Sequence, residues 1–179
     1  MSEVIRETRE TRVRVVLGRG DGSLDCATGE PFLDHMLTTL ARYAGVSLTL
    51  EASGDLKHHL VEDVAIAFGT ALRGIVPATA ARYGQRVVPM DDALVEAALD
   101  LGGRAYYEGP LSSPLYDHWM RSFASEARVT LHLTVRRGSD RHHIVEAAFK
   151  ALGLALREAL ADSGAVFSTK GAVRIEVKP

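Results

Sequence analysis

One cysteine in 179 residues leaves no internal disulfide, so Cys26 cannot help hold the chain together and burial must do that work. No apolar run approaches the ~20 residues that a membrane span needs. The N-terminal "MSEVIRETRE" is charged rather than signal-like. Neither sign of charge dominates: 21 Lys and Arg against 23 Asp and Glu give a net charge of -2, which argues against nucleic acid or an anionic membrane as partner. Low-complexity linkers are missing as well. What remains is 46% hydrophobic residues and 25% charged ones, the usage of a soluble globular protein in which disorder is not expected. The expected location is the cytoplasm. At this length the chain can bury a substantial core as one domain, 1–179, or as two small halves packed together.

A repeat organises the chain. The stretch from Leu33, "LDHMLTTLARYAGVSLTLEASGDLKHHLVEDVAIAFGTALR", aligns with that from Tyr116, "YDHWMRSFASEARVTLHLTVRRGSDRHHIVEAAFKALGLALRE". Asp34-His35 falls on Asp117-His118, "VSLTL" on "VTLHL", and the two HH pairs coincide after a one-residue gap. Each copy reads as helix, strand, turn, helix. Phe32 to Ala44 is apolar at helical spacing, and Val46, Leu48 and Leu50 alternate with polar residues as in a half-buried strand. His58 to Arg73 is Ala-rich and free of proline, and its counterpart runs from His142 to about Ala161 with Asp140 as N-cap. "RVVPMDDALVEAALDLGGRAYYEG" suggests two strands around a Gly102-Gly103 turn, and Val4 to Leu17 and the C-terminal "AVRIEV" also read as strand. The expected architecture is α+β, with internally duplicated, pseudo-symmetric halves, 1–90 and 91–179, fused into one domain.

The two copies carry the same constellation. His58 and Glu62 are four residues apart and share a helical face, as do His142 and Glu146, while His59 and His143 point roughly 100° round the helix. His132 lies on the polar face of its strand with Thr130 and Thr134, and His35 opens the earlier helix. His118, beside Trp119 and Phe123, reads as a packing residue. Imidazole nitrogen with carboxylate oxygen and no thiolate suits divalent manganese, iron, cobalt or zinc, and two clusters imply two ions. A single HHxxE is more often a solvated surface feature than a ligand set. Twin copies inside a duplication reverse that judgement.

The chain resembles the imidazoleglycerol-phosphate dehydratase family along nearly its whole length. The resemblance rests on "RETRETRV", "TGEPFLDHML" from Thr28, both HHxxE motifs, "RYG…VPMDDAL" from Arg82, "LGGRAYYEG" from Leu101, "SFASEARVTLHL" from Ser122, "HHIVEAAFKALGLAL" from His142 and "STKG" from Ser168. It implies a ribosomal-protein-S5-domain-2-like fold. It also implies a hydro-lyase that converts imidazole glycerol phosphate to imidazole acetol phosphate in histidine biosynthesis. Two manganese ions would be held by His35, His58, His59, Glu62, His132, His142, His143 and Glu146, within a homo-oligomer of 24 subunits. The proton to be lost is not acidic, so the leaving hydroxyl needs an electron-rich ring, and metal ions on both ring nitrogens would hold the imidazole as an anion. Glu10, Glu62 and Glu146 are the candidates for proton transfer, Glu10 by resemblance alone. For the phosphate the resemblance implies Arg82, Arg104, Lys150, Ser168 and Lys170, the arginine forks suiting bidentate contact. Asp91-Asp92 reads either as an orienting pair or as an exposed turn.

Two features depart from the family's pattern. Its members carry a longer turn with paired aspartates before the first HH, where this chain has only "GDLKHH"; a carboxylate that would orient the imidazoles is thus expected to be missing. Thr38-Thr39 stand where a glutamine is frequent. The alternative readings are a metal-organised shell or binding protein without turnover, and a dinuclear metallohydrolase. Retention of both arginines and Lys170 favours a phosphorylated small substrate over the shell.

Overall fold

Alternating burial builds the first sheet. A computed structural model describes residues 1–20, 22–166 and 176. In β2 (Thr11–Arg19) Val13, Val15 and Leu17 are completely buried while Arg12 is exposed. Strand β2 pairs antiparallel with β1 (Ser2–Glu7) on one side and β4 (Val46–Gly54) on the other; β3 (Leu24–Ala27) adds a parallel edge to β4. The order is β1-β2-β4-β3. Helix α1 (Pro31–Ala44) joins β3 to β4, and α2 (Lys57–Arg73) follows β4.

The second half repeats this plan element by element: β5 (Tyr83–Met90), β6 (Ala93–Asp100), β7 (Tyr106–Glu108), α3 (Pro114–Ala127), β8 (Thr130–Arg137) and α4 (Arg141–Ala159). Its sheet runs β5-β6-β8-β7, again with one parallel edge. Both α1 and α3 begin with proline, whose fixed φ suits the first helical turn. The mixed α+β architecture and its duplication are therefore present in three dimensions. One hydrophobic cluster, from Val13 to Leu160, runs through both halves.

Two expectations need correction. The second sheet starts at Tyr83, so the halves part between Arg73 and Tyr83 rather than at residue 90. The β5–β6 hairpin turns at Asp91-Asp92, with Asp91 in the left-handed region at φ 47. Gly102-Gly103 instead leads into β7, which pairs parallel to β8 as β3 does to β4. A diglycine is a strong local turn signal, but the antiparallel register of β5 and β6 closes from Tyr83↔Asp100 to Met90↔Ala93 around the two aspartates. The "AVRIEV" strand lies outside the described residues.

The helices fill the space between the sheets with their partners crossed: α1 packs on α4, and α2 on α3. Glycine permits the close approach. A Cβ on Gly69 of α2 would meet Phe123 O of α3 at 2.7 Å, and one on its repeat equivalent, Gly153 of α4, would meet Leu40 O of α1 at 2.8 Å. Each half therefore presents its first helix to the other half's second helix.

Candidate functional site

Helix starts place the histidines. Asp140 caps α4 by accepting from the backbone N–H groups of His142 and His143. At α1 and α3, aspartates anchor the preceding loop in the same way: Asp34 accepts from Thr28 N and Asp117 from Leu111 N, both at 2.9 Å. These bonds fix where His35 and His118 stand.

The crossed helices then assemble two matching clusters. In one, His35 Nε2 of α1 lies 3.6 Å from Glu146 Oε2 of α4, and His142 Nε2 lies 3.2 Å from the same oxygen. In the other, His118 Nε2 of α3 lies 3.3 Å from Glu62 Oε1 of α2, and His58 Nε2 lies 3.9 Å from Glu62 Oε2. His118 is thus not a packing residue. Trp119 and Phe123 are in the core, but His118 points away from it and stacks on His58, with ring centroids 5.1 Å apart. Its alignment with His35 in the repeat was the signal available in the sequence.

The second histidine of each pair faces a carboxylate from another turn. His59 Nδ1 is 3.0 Å from Asp55 Oδ1 and 3.4 Å from Glu10 Oε2; His143 Nδ1 is 2.7 Å from Asp92 Oδ1, with Asp91 3.4 Å from Nε2. Asp55 is the residue that reading the sequence missed, while Asp92 takes the orienting role that was one of the two readings of Asp91-Asp92. Asp55 supplies the orienting carboxylate that the short "GDLKHH" turn was expected to lack, and its i,i+4 spacing to His59 was visible. Asp92 is held in place by bonds from Ser139 N and Asp140 N. Those bonds, that from Ser139 N above all, together with His143, hold its carboxyl well below the usual range. The hydrogen bonds to Asp55 and Asp92 push His59 and His143 upward. Glu10 sits in the β1–β2 turn, which is tied to α2 through Arg6 and Thr11, both bonded to Asp63.

Glu146 is the most enclosed of the acids. Burial alone would raise its pKa, but Lys150 Nζ at 2.8 Å from Oε1, with His35 and His142, turns the shift downward. Lys150 also approaches Met90 Sδ at 3.1 Å.

The other expected residues stand elsewhere on this chain. His132 is on the exposed face of β8, beside the Tyr106 ring at 5.5 Å, while Leu131 and Leu133 turn toward the helices. Arg82, at φ 76, donates from Nε and Nη2 to Asp100 at 2.6 and 2.9 Å. The Arg104 carbonyl accepts from Thr130 at 3.1 Å. Both arginines therefore belong to the end of the second sheet away from the Asp91-Asp92 turn. At ~3.3 Å per residue along β5, Arg82 is roughly 25 Å from that turn. Thr38 spends its hydroxyl on Asp34 O of its own helix at 2.8 Å. Ser168 and Lys170 lie outside the described residues.

The donor sets fit divalent cations. The ligand atoms of His58, Glu62 and His118 lie within 4.8 Å of one another, as do those of Glu10, Asp55 and His59. All are imidazole nitrogens or carboxylate oxygens, the donors suited to manganese or zinc.

Comparison with known proteins identifies what shares this arrangement. The family model described as imidazoleglycerol-phosphate dehydratase matches residues 28–156. A relative of that name from Pyrobaculum calidifontis is 47% identical over 94% of this chain and 98% of its own length. Another, from an Anaeromyxobacter species, is 45% identical over 94% of this chain and 91% of its own length. The crystal structure of IGPD from Pyrococcus furiosus superposes with a TM-score of 0.85 at 38% identity, covering 95% of this chain and all of that one.

Proposed function

The chain belongs to the imidazoleglycerol-phosphate dehydratase family, lyases of histidine biosynthesis, and from that premise we propose that it dehydrates its substrate at a dinuclear metal site shared between subunits. The observation that carries this reading is the pair of crossed clusters, His35 with His142 and Glu146, and His118 with His58 and Glu62.

His35, His58, His59, Glu62, His132, His142, His143 and Glu146 would hold two divalent ions, with manganese expected. Bound there, the ions supply Lewis-acid charge that keeps the substrate imidazole anionic and electron-rich. The remaining chemistry belongs to the chain's own groups. The hydroxyl on the carbon attached to the ring must leave as water, taking up a proton as it goes. The next carbon must then lose its proton to give an enol that becomes the ketone. Glu146 is poorly placed for either transfer, because Lys150 occupies one oxygen and His142 the other. Glu62 and Glu10 are more open, with side chains 37% and 57% exposed, and the proton-moving role falls to them. Asp55 and Asp92 hold His59 and His143 by Nδ1, which leaves Nε2 of His59 to face a cation and Nε2 of His143 to share one with exposed Asp91.

Arg82 and Arg104 stand at the far end of the second sheet and His132 on the exposed face of β8, and none of them contacts the clusters of its own chain among the described residues. Their position supports a site completed by neighbouring copies in a large homo-oligomer, 24 subunits by resemblance, with the arginines binding the phosphate of imidazole glycerol phosphate. Lys150, Ser168 and Lys170 would add to that phosphate site; of these Lys150 is committed to Glu146 in the isolated chain.

The test is dehydration of imidazole glycerol phosphate by metal-free and manganese-loaded protein, beside metal content per chain. Turnover with two manganese ions per chain is expected. Full turnover without metal would refute the dinuclear reading, and metal binding without turnover would point to a structural shell.

A further inference from the structure

We infer that Asp100 is a positioning residue for the substrate phosphate: it presets the Arg82 guanidinium, and Gly102 leaves the room for it to do so. The inference rests on the reading of Arg82 as a phosphate ligand proposed above. It concerns the end of the second sheet away from the metal clusters.

The backbone gives the first sign. Arg82 has φ 76, a conformation that a side chain disfavours and that persists only where the surroundings impose it. Here they do: Arg82 N donates to Ala159 O at the end of α4, and Arg82 O accepts from Leu101 N, both at 2.9 Å. The side chain is gripped as firmly. Asp100 Oδ1 accepts from Nε at 2.6 Å and Oδ2 from Nη2 at 2.9 Å, a fork that uses two of the five guanidinium N–H donors and fixes the plane of the group. The Tyr83 ring adds a contact, with Cζ 5.0 Å from its centroid. Both members of the pair are mostly out of solvent, the Arg82 side chain 26% exposed and that of Asp100 19%. A Cβ at Gly102 would stand 2.4 Å from Arg82 Nη2 and 2.8 Å from Asp100 Oδ1, so a larger residue there forces the fork apart.

The other copy of the repeat shows that the sheet itself does not need this carboxylate. Asp100 pairs across the strands with Thr130; Ser47, the repeat equivalent of Thr130, pairs with Gly18. The first sheet is thus built with no acid at that place. Asp100 answers to Arg82 rather than to the strand it ends. A long arginine side chain left free would lose rotamer freedom each time it met an anion, whereas one already held in plane meets phosphate oxygens with its orientation set.

Three variants of the assembled, manganese-loaded protein test this: Arg82→Ala, Asp100→Ala and Gly102→Ala, the last at a position whose backbone conformation does not itself require glycine. KM and kcat for imidazole glycerol phosphate, and competitive inhibition by inorganic phosphate, are measured beside metal content and particle size. Asp100→Ala and Gly102→Ala should each raise KM and the phosphate inhibition constant about tenfold, the scale of one charge-assisted contact, with kcat and metal content at the wild-type level. Added to Arg82→Ala, either change should have less than about a twofold further effect, because the group they orient is gone. If Asp100→Ala fails to assemble, Gly102→Ala alone decides. Wild-type KM in an assembled Asp100→Ala or Gly102→Ala protein would overturn the inference, and so would effects that multiply in the double variants. An Arg82→Ala protein with wild-type KM would instead sink the phosphate reading of Arg82.

Discussion

Lys150 Nζ lies 2.8 Å from Glu146 Oε1, one helical turn away, and both side chains are largely out of solvent. Lys150→Met would keep the stem and leave Glu146 without its cation. A hydrogen bond to a charged group contributes about 1.5–3 kcal/mol, so the apparent Tm should fall by several degrees. The reciprocal change in the other copy, Ile66→Lys, introduces a cation one turn beyond Glu62 and should not stabilise comparably, because Ile66 is half-buried beside Thr70 and Glu126 rather than beside Met90. Thermal unfolding of the two metal-free variants checks both statements.

The proposed division of phosphate and metal residues along the second sheet has a measurable result. Arg104→Ala should raise KM for imidazole glycerol phosphate about tenfold or more, from loss of a charge-assisted contact, while metal content stays at the wild-type level. Hybrid assemblies made by mixing Arg104→Ala subunits, weak in substrate binding, with inactive His58→Ala subunits should regain sites of wild-type KM, since some sites then receive an intact half from each. No recovery in verified hybrids would mean that a single subunit supplies both groups.

The raised pKa values of His59 and His143 fix the sign of a pH effect. A histidine whose folded value lies above its ordinary 6.5 adds stability that is complete below 6.5 and is lost as pH rises through the folded value. In the metal-free protein this contribution should therefore decline between pH 6.5 and the raised values. Manganese must displace the same protons, so its affinity should increase over that window, with proton release visible in buffers of different ionisation enthalpy. Asp55→Asn and Asp92→Asn should shift both effects to lower pH.

The proposed ligation by exposed His132 would link metal to assembly. If it ligates a neighbour's ion, chelation removes an intersubunit bond, and a ligand that binds only the assembled form stabilises it by mass action. Light scattering after verified metal removal should show smaller particles, restored by manganese. His132→Ala should behave as chelated protein does, even with metal present.

Much of this was legible in the sequence because periodicity reports burial. Helical spacing gave α1, α2 and α4 nearly to the residue, and Asp140 as a cap follows from its place before the periodic run. His118 was misjudged because sequence neighbours on a helix point about 100° apart: the aromatic character of Trp119 says where Trp119 goes, not His118. The Asp92–His143 bond joins residues 51 apart and depends on where a hairpin turns, which the pull of Gly102-Gly103 obscured. The separation of His132 and the arginines from the histidine pairs is invisible to motif spacing, since a ligand set read from one chain carries no statement about which copy supplies each member.

The crossed packing of α1 on α4 and α2 on α3 leaves neither half in possession of a whole crossed cluster, His35 with Glu146 or His118 with Glu62. A chain of half this length, carrying one copy of the repeat, would have to pair with itself to bring a helix-opening histidine to a glutamate, and would then present two identical sites. Fusion into one polypeptide frees those sites to diverge. Lysine at 150 against isoleucine at 66 is such a divergence, and it gives each half a distinct job within a frame that still requires both to be folded at once.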